Sequence, residues 1–169
     1  IGIVNISQQT LQLEKQTFYL PLEGIHNAKN LMLAFAVAKE LGISLKEIKK
    51  FNIEIPSGRN TVLTFGDITV LDETYNSSPE AVQACLKVLI SRPGRHFAVL
   101  GKMFELGAQS DFLHSEIARL SVDLGLDGLI IVACGSEADS MKDIAEALPY
   151  LAVVETPEEA FEILVEWLR

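Results

Sequence analysis

Cysteine is scarce: Cys85 and Cys134 are the only two. Cys85 falls within an apolar helical pattern and Cys134 closes an apolar strand, so two buried thiols are expected rather than a disulfide. That usage suits a reducing cytoplasm. Basic residues are also few, 14 against 23 acidic ones, for a formal net charge of -9. Nucleic-acid and anionic-membrane surfaces both need a basic patch, so neither is expected, and small molecules or other proteins remain as partners. No apolar run approaches the roughly 20 residues of a membrane-crossing helix, and no signal-peptide pattern is visible. The first residue is Ile1 rather than methionine, from which a piece of a longer chain is expected. Also missing are a P-loop, a G-x-G-x-x-G after a strand, and metal spacings such as H-E-x-x-H or paired C-x-x-C. Whatever chemistry these residues serve, they lack the usual phosphate cradle.

What is present is apolar material. Hydrophobic residues make up 49% of 169 and charged ones 22%, enough for a packed core and too little charge for disorder. The length suits one domain, or one domain and part of another. Strands are expected at Ile1 to Ile6 and at Gln16 to Leu20, before Pro21. An almost wholly apolar helix follows, capped near Asn27, buried on most sides and ended by Gly42. Ser44 and Glu47 form a capping-box pattern for a second helix running to about Phe51. Pro56 and Gly58 then break the pattern, and a domain boundary is expected there, dividing residues 1–55 from 56–169.

Beyond it the rhythm is regular. Two β-rich runs, Thr61 to Phe65 and Ile68 to Leu71, flank Gly66-Asp67 as in a tight hairpin. Ser78 is a good N-cap and Pro79 fits the first helical position, where its missing N–H costs nothing. Helix 79 to 91 should bury Ala81, Cys85, Val88 and Leu89; helix 110 to 124 should bury Leu113, Ile117, Leu120 and Leu124. Strand 96 to 100 precedes the second of these, and Gly128 to Ala133 is unbroken apolar, as in a parallel strand covered on both faces. A helix is expected over 137 to 148, a strand over 151 to 154, and a last helix from the capping box Thr156-Pro157-Glu158-Glu159, burying Phe161, Leu164, Val165 and Leu168. Strands alternating with helices in this way imply a mainly parallel sheet, and the fold expected is α/β: a three-layer, Rossmann-like domain.

Four clusters could carry chemistry. Asn27 and Asn30 lie three apart at a helix start, either as caps or as amides facing one ligand. Arg59 follows Gly58 in the break, either solvated or clamping a phosphate with its forked guanidinium. Asp72 and Glu73 close a strand at the joint with the helix that begins at Pro79, either solvated or holding a ribose, a metal or an ammonium. Finally Gly101 and Gly107 bracket a loop at the carboxyl end of the next strand, with Ser110 and His114 in the helix after it. That is a plain turn with a surface histidine, or a loop whose backbone approaches a ligand closely.

Taken in order, Gly24-x-His26-Asn27-x-x-Asn30, Gly58-Arg59, Asp72-Glu-Thr-Tyr-Asn-Ser-Ser-Pro79 and Leu100-Gly-x-Met-x-Glu-Leu-Gly107-x-x-Ser110-x-x-x-His114 resemble the Mur ligases over essentially the whole chain. The last two motifs look like those of members that add D-alanyl-D-alanine to UDP-N-acetylmuramoyl-tripeptide. The resemblance implies a three-domain, ATP-dependent enzyme of peptidoglycan synthesis in the cytoplasm. Residues 1–55 would then be the end of its P-loop-type central ATPase domain and 56–169 its carboxyl-terminal domain. It further implies ATP contacts from Asn27, Asn30, Arg59, Asp72 and Glu73, and a dipeptide end shaped by Tyr75, Asn76, Gly101, Met103, Glu105, Leu106, Gly107 and His114. Mg2+ would act with ATP in the full-length enzyme through ligands outside these residues, and the fragment alone would be inactive. Three positions depart from the family pattern: Glu73 for an aspartate, Ser78 for an asparagine, and Lys102 where relatives are often acidic. A folylpolyglutamate synthase, the diaminopimelate-adding Mur enzyme, or a non-catalytic Rossmann-like binding module are the alternatives.

Overall fold

The computed structural model describes residues 3–5, 8–13, 15–22, 24–45, 48 and 56–169, and the chain falls into two compact units, 1–75 and 76–169. In the first unit, β1 (Ile3–Asn5), β2 (Thr10–Leu13) and β3 (Gln16–Tyr19) form an antiparallel sheet in that order. The middle strand was not foreseen, although Leu11 in its short Thr-Leu-Gln-Leu alternation is wholly buried. Helix α1 (Ile25–Glu40) begins two residues before Asn27, with Gly24 at the N-cap position and no side-chain cap, and ends at Gly42, whose φ of 79° suits glycine. Leu11, Phe18, Leu20, Ala28, Phe35 and Leu45 make its core, with the rings of Phe18 and Phe35 4.7 Å apart. Only that side of α1 is buried. Leu33, Val37 and Leu41 are exposed, contrary to the expectation of a helix covered on most sides. The expected helix from Ser44 to Phe51 lies largely outside the described residues.

The same unit ends in the hairpin of β4 (Thr61–Phe65) and β5 (Ile68–Asp72), in the expected register, with Gly66 at φ 59° in the two-residue turn.

The second unit has the order α2 (Pro79–Ile90), β6 (Phe97–Gly101), α3 (Ser110–Asp123), β7 (Gly128–Val132), α4 (Ser136–Ala145), β8 (Tyr150–Val154) and α5 (Pro157–Trp167). Its sheet is parallel, ordered β6-β7-β8. Leu129, Ile130 and Ile131 are wholly buried because β7 is central and covered on both faces; each contributes about 1.5–3 kcal/mol relative to exposure. Leu129 and Ile131 join a core with residues of α2, α3 and α4, while Ile130, of opposite parity, faces the layer that holds α5. This is the three-layer α/β arrangement. Gly128 shares the parity of Ile130, and a Cβ there would lie 2.8 Å from the Phe97 ring and 2.9 Å from Tyr150 Cβ. Phe97, Tyr150 and Trp167 stack around that spot.

The helix signals act as read. The Ser78 hydroxyl accepts from the Ala81 amide ahead of Pro79, and Thr156 and Glu159 form a complete capping box. Some burial assignments differ. Leu86 and Pro79 are the buried residues of α2 while Ala81 is exposed, and Phe161 is 67% exposed while Ala160 is buried. Cys134 is exposed and Cys85 half-buried, and the two form no disulfide. A wide apolar stripe fixes which face turns inward but not which of its members reaches the centre. Among the described residues no helix is long and apolar enough to cross a membrane.

Candidate functional site

The first unit draws three separate stretches together. Gly58 takes φ 77°, and a Cβ on it would sit 2.7 Å from Thr74 Oγ1 and 3.0 Å from the Tyr75 nitrogen, so the two backbones approach as only glycine allows. That approach lets the Tyr75 N–H donate to the Gly58 carbonyl at 2.7 Å. Arg59, next in sequence, places its guanidinium carbon 5.1 Å from the centre of the Tyr75 ring. Asn60 follows at φ 48° and accepts from the Asn27 amide at 2.9 Å, bonding the first turn of α1 to this loop. Asp72 receives both the Thr74 N–H (3.1 Å) and the Thr74 hydroxyl (2.7 Å) on Oδ1, which fixes the carboxylate at the strand end. Asn30 and Glu73 are exposed.

In the second unit the loop between β6 and α3 is held by a connected set of bonds. His114 is wholly buried. Its Nδ1 lies 2.8 Å from the Ser110 carbonyl, which can only accept, so Nδ1 carries the proton; Nε2 then accepts from the Met103 N–H at 2.9 Å. The ring is therefore the neutral Nδ1-H tautomer, and both nitrogens serve the loop. Ser110 donates its hydroxyl to Glu137 at 3.0 Å, and Lys102 pairs with the same carboxylate oxygen at 2.7 Å. These contacts hold the Glu137 carboxyl down to about 2: the Lys102 bond is the largest cause, followed by bonds from its own backbone N–H and from Ser110. Lys102 is raised in return, chiefly by the Glu137 bond. Beside them Ser136 donates to Asp111 at 2.9 Å. Met103 is buried, whereas Phe104, Glu105 and Gly107 are exposed; Glu105 and Gly107 both have positive φ, 64° and 58°.

The stretches singled out from the sequence meet partners that the sequence did not indicate. Asn27 bonds Asn60 rather than capping α1, and of the two readings of His114 the surface one fails, since the ring is a core group turned back to pin the loop. Tyr75, expected at the dipeptide end, lies against Arg59, while Asn76 is exposed and its side chain accepts from the next amide, that of Ser77. Gly101 is exposed at the end of β6 with open space where a side chain would be. Glu137, Ser136, Asp111, Asn60 and Thr74 were missed. Glu137 had a readable signal: it follows Gly135 at the carboxyl end of a strand, on the edge where open α/β sheets bind ligands. Among the described residues no group of three or more His, Cys, Asp or Glu is placed to hold a metal.

A parallel sheet between helix layers, with a pinned glycine-bracketed loop at its carboxyl edge, defines the class as a three-layer, Rossmann-like α/β domain. The profile described as "Mur ligase, glutamate ligase domain" matches residues 58–169, and the chain belongs to the Mur ligase family. It is 37% identical over 139 residues to the "UDP-N-acetylmuramoyl-tripeptide--D-alanyl-D-alanine ligase" of Synechocystis, covering 80% of this chain and 31% of that protein. The Escherichia coli protein of the same name is 32% identical over 124 residues, covering 72% and 27%. Among solved structures, MurF from Acinetobacter baumannii superposes with a TM-score of 0.76 at 27% identity, covering 94% of this chain and 35% of that one. MurF ligase from Thermotoga maritima in complex with ADP gives 0.73 at 26% identity, covering 92% and 36%. The chain thus spans about a third of the length of the relatives it matches.

Proposed function

We propose that the chain is part of an ATP-dependent amide ligase that joins D-alanyl-D-alanine to a UDP-N-acetylmuramoyl-tripeptide in peptidoglycan synthesis in the cytoplasm. The observation that carries this is the 37% identity, over 80% of the chain, to a ligase of that name. Nucleotide use is supported by the ADP complex of the Thermotoga maritima neighbour. In such a reaction the γ-phosphoryl group moves from ATP to a carboxylate oxygen of the tripeptide and ADP leaves. The dipeptide amine then attacks the acyl carbon and phosphate departs. The protein's part is positioning and charge stabilisation.

Arg59 is the phosphate clamp, since its guanidinium is always charged and offers a fork of donors. Asn27 and Asn30 serve the adenine side, and Asp72 and Glu73 the ribose. The loop carrying Gly101, Met103, Glu105, Leu106 and Gly107, with Asn76, serves the dipeptide, and His114 acts by holding that loop. Mg2+ would accompany ATP through ligands in the rest of the enzyme, and none of these residues is assigned to it. The carboxyl-terminal domain is taken to start at about residue 56, with support from a family match that begins at 58. The P-loop and the remaining domains belong to the rest of the enzyme.

The test is ligation by the full-length protein, supplied with ATP and UDP-N-acetylmuramoyl-tripeptide and offered different amines. D-Alanyl-D-alanine should be the amine consumed, and the 169-residue chain alone should release no phosphate above background. Preference for a glutamate or a diamino acid would overturn the assignment, and phosphate release by the chain alone would overturn its dependence on the missing parts.

A further inference from the structure

We infer that Tyr75 is a positioning residue that aims Arg59, an inference that rests on the phosphate role proposed above for that arginine. The guanidinium carbon lies 5.1 Å from the ring centre, within the range over which a cation is drawn to an aromatic face. Both partners are exposed, and among the described residues the Tyr75 ring is the contact that holds the long arginine side chain. What does fix the pair is backbone. The Tyr75 N–H donates to the carbonyl of Gly58, the residue directly before Arg59, at 2.7 Å. Gly58 permits the approach because it has no Cβ to strike Thr74. Thr74 is in turn bonded twice to Asp72. The ring and the guanidinium therefore come from two segments clipped together beside both residues, which makes their meeting a property of the loop and not of one rotamer.

The contact suits a phosphate clamp. Attraction to the ring acts on the cation's charge and consumes none of its N–H donors, so the fork remains available for two bonds to phosphate oxygens. Holding the side chain in advance lowers the ordering cost when the anion arrives. The phenol hydroxyl has no part in this, so a phenylalanine should serve equally well. Tyr75 thus belongs with the nucleotide-side residues of its unit and not with the dipeptide loop.

Two readouts test it. In the 169-residue chain, the Arg59 side-chain proton resonances should be shifted upfield by the ring. Tyr75→Leu should remove that shift and Tyr75→Phe should keep it. In the full-length enzyme, Tyr75→Leu should raise the apparent KM for ATP about two- to fivefold, the range expected of an exposed cation–π contact, with KM for the dipeptide unchanged. Tyr75→Phe should restore the parent value, and in an Arg59→Ala background Tyr75→Leu should add nothing. An arginine shift that survives Tyr75→Leu overturns the inference, as does an unchanged KM for ATP in Tyr75→Leu when Arg59→Ala raises it. A KM for ATP indifferent to Arg59→Ala overturns instead the phosphate role beneath it.

Discussion

Replacing His114 by leucine isolates one hydrogen bond at the heart of the loop between β6 and α3. The imidazole is wholly buried, and its Nε2 accepts from the Met103 amide at 2.9 Å. Leucine fills about the same volume and keeps the apolar contacts of α3, but it has no acceptor. The Met103 N–H, in a residue only 3% exposed, is then left unpaired away from water. An orphaned buried donor costs about 1–3 kcal/mol. Ser110 loses less, because its carbonyl still faces the helical amide four residues on. His114→Ala adds a cavity to the same loss, for a total of about 3–5 kcal/mol. Urea unfolding followed by fluorescence measures both. Trp167 is the sole tryptophan and packs between Phe97 and Tyr150 in the second unit, so its signal reports that unit. The expected result is a lower midpoint at unchanged slope, leucine less affected than alanine, together with faster exchange of the Met103 amide. A leucine variant as stable as the parent, with Met103 equally protected, would refute the argument that His114 is retained for its acceptor.

Three further outcomes follow from the same geometry. Gly58→Ala forces a Cβ to within 2.7 Å of Thr74 Oγ1 at φ 77°, and should cost about 1–3 kcal/mol while exposing the Tyr75 amide to exchange; retained protection of that amide would show that the loops part without loss. Glu137 is held at about 2 against an ordinary 4.5, so its contribution to stability is present above about pH 4.5 and is lost as the pH falls toward 2. Glu137→Gln should therefore flatten that part of the acid unfolding profile, and an identical profile in the variant would place the acid-sensitive group elsewhere. Arg59→Lys keeps the charge but loses the fork, so turnover of the full-length enzyme should drop beyond any change in stability; unchanged turnover at saturating ATP would remove Arg59 from the phosphate site.

What the sequence determined by itself is what depends on near neighbours along the chain. Ser78 before Pro79, Thr156-Pro157 with Glu159, Gly66-Asp67 between two β-rich runs and the unbroken apolar stretch from Gly128 each act through residues a few positions away, and each forms the expected element. The α/β order followed from those elements because strands alternating with helices have few ways to bury their apolar faces. The family motifs were equally legible as strings of residues. Tertiary structure alone decided which side chain meets which. Asn27 finds Asn60 across 33 residues, Tyr75 finds Arg59, and Glu137 gathers Lys102 and Ser110 from another loop. No periodicity encodes such pairs, since they depend on how distant backbones cross. The same holds for burial: His114 is enclosed, Cys134 and Phe161 are exposed, and Leu33 and Val37 of an apolar helix face outward. An apolar pattern states that a face favours cover, and only the packed neighbours decide whether cover is there.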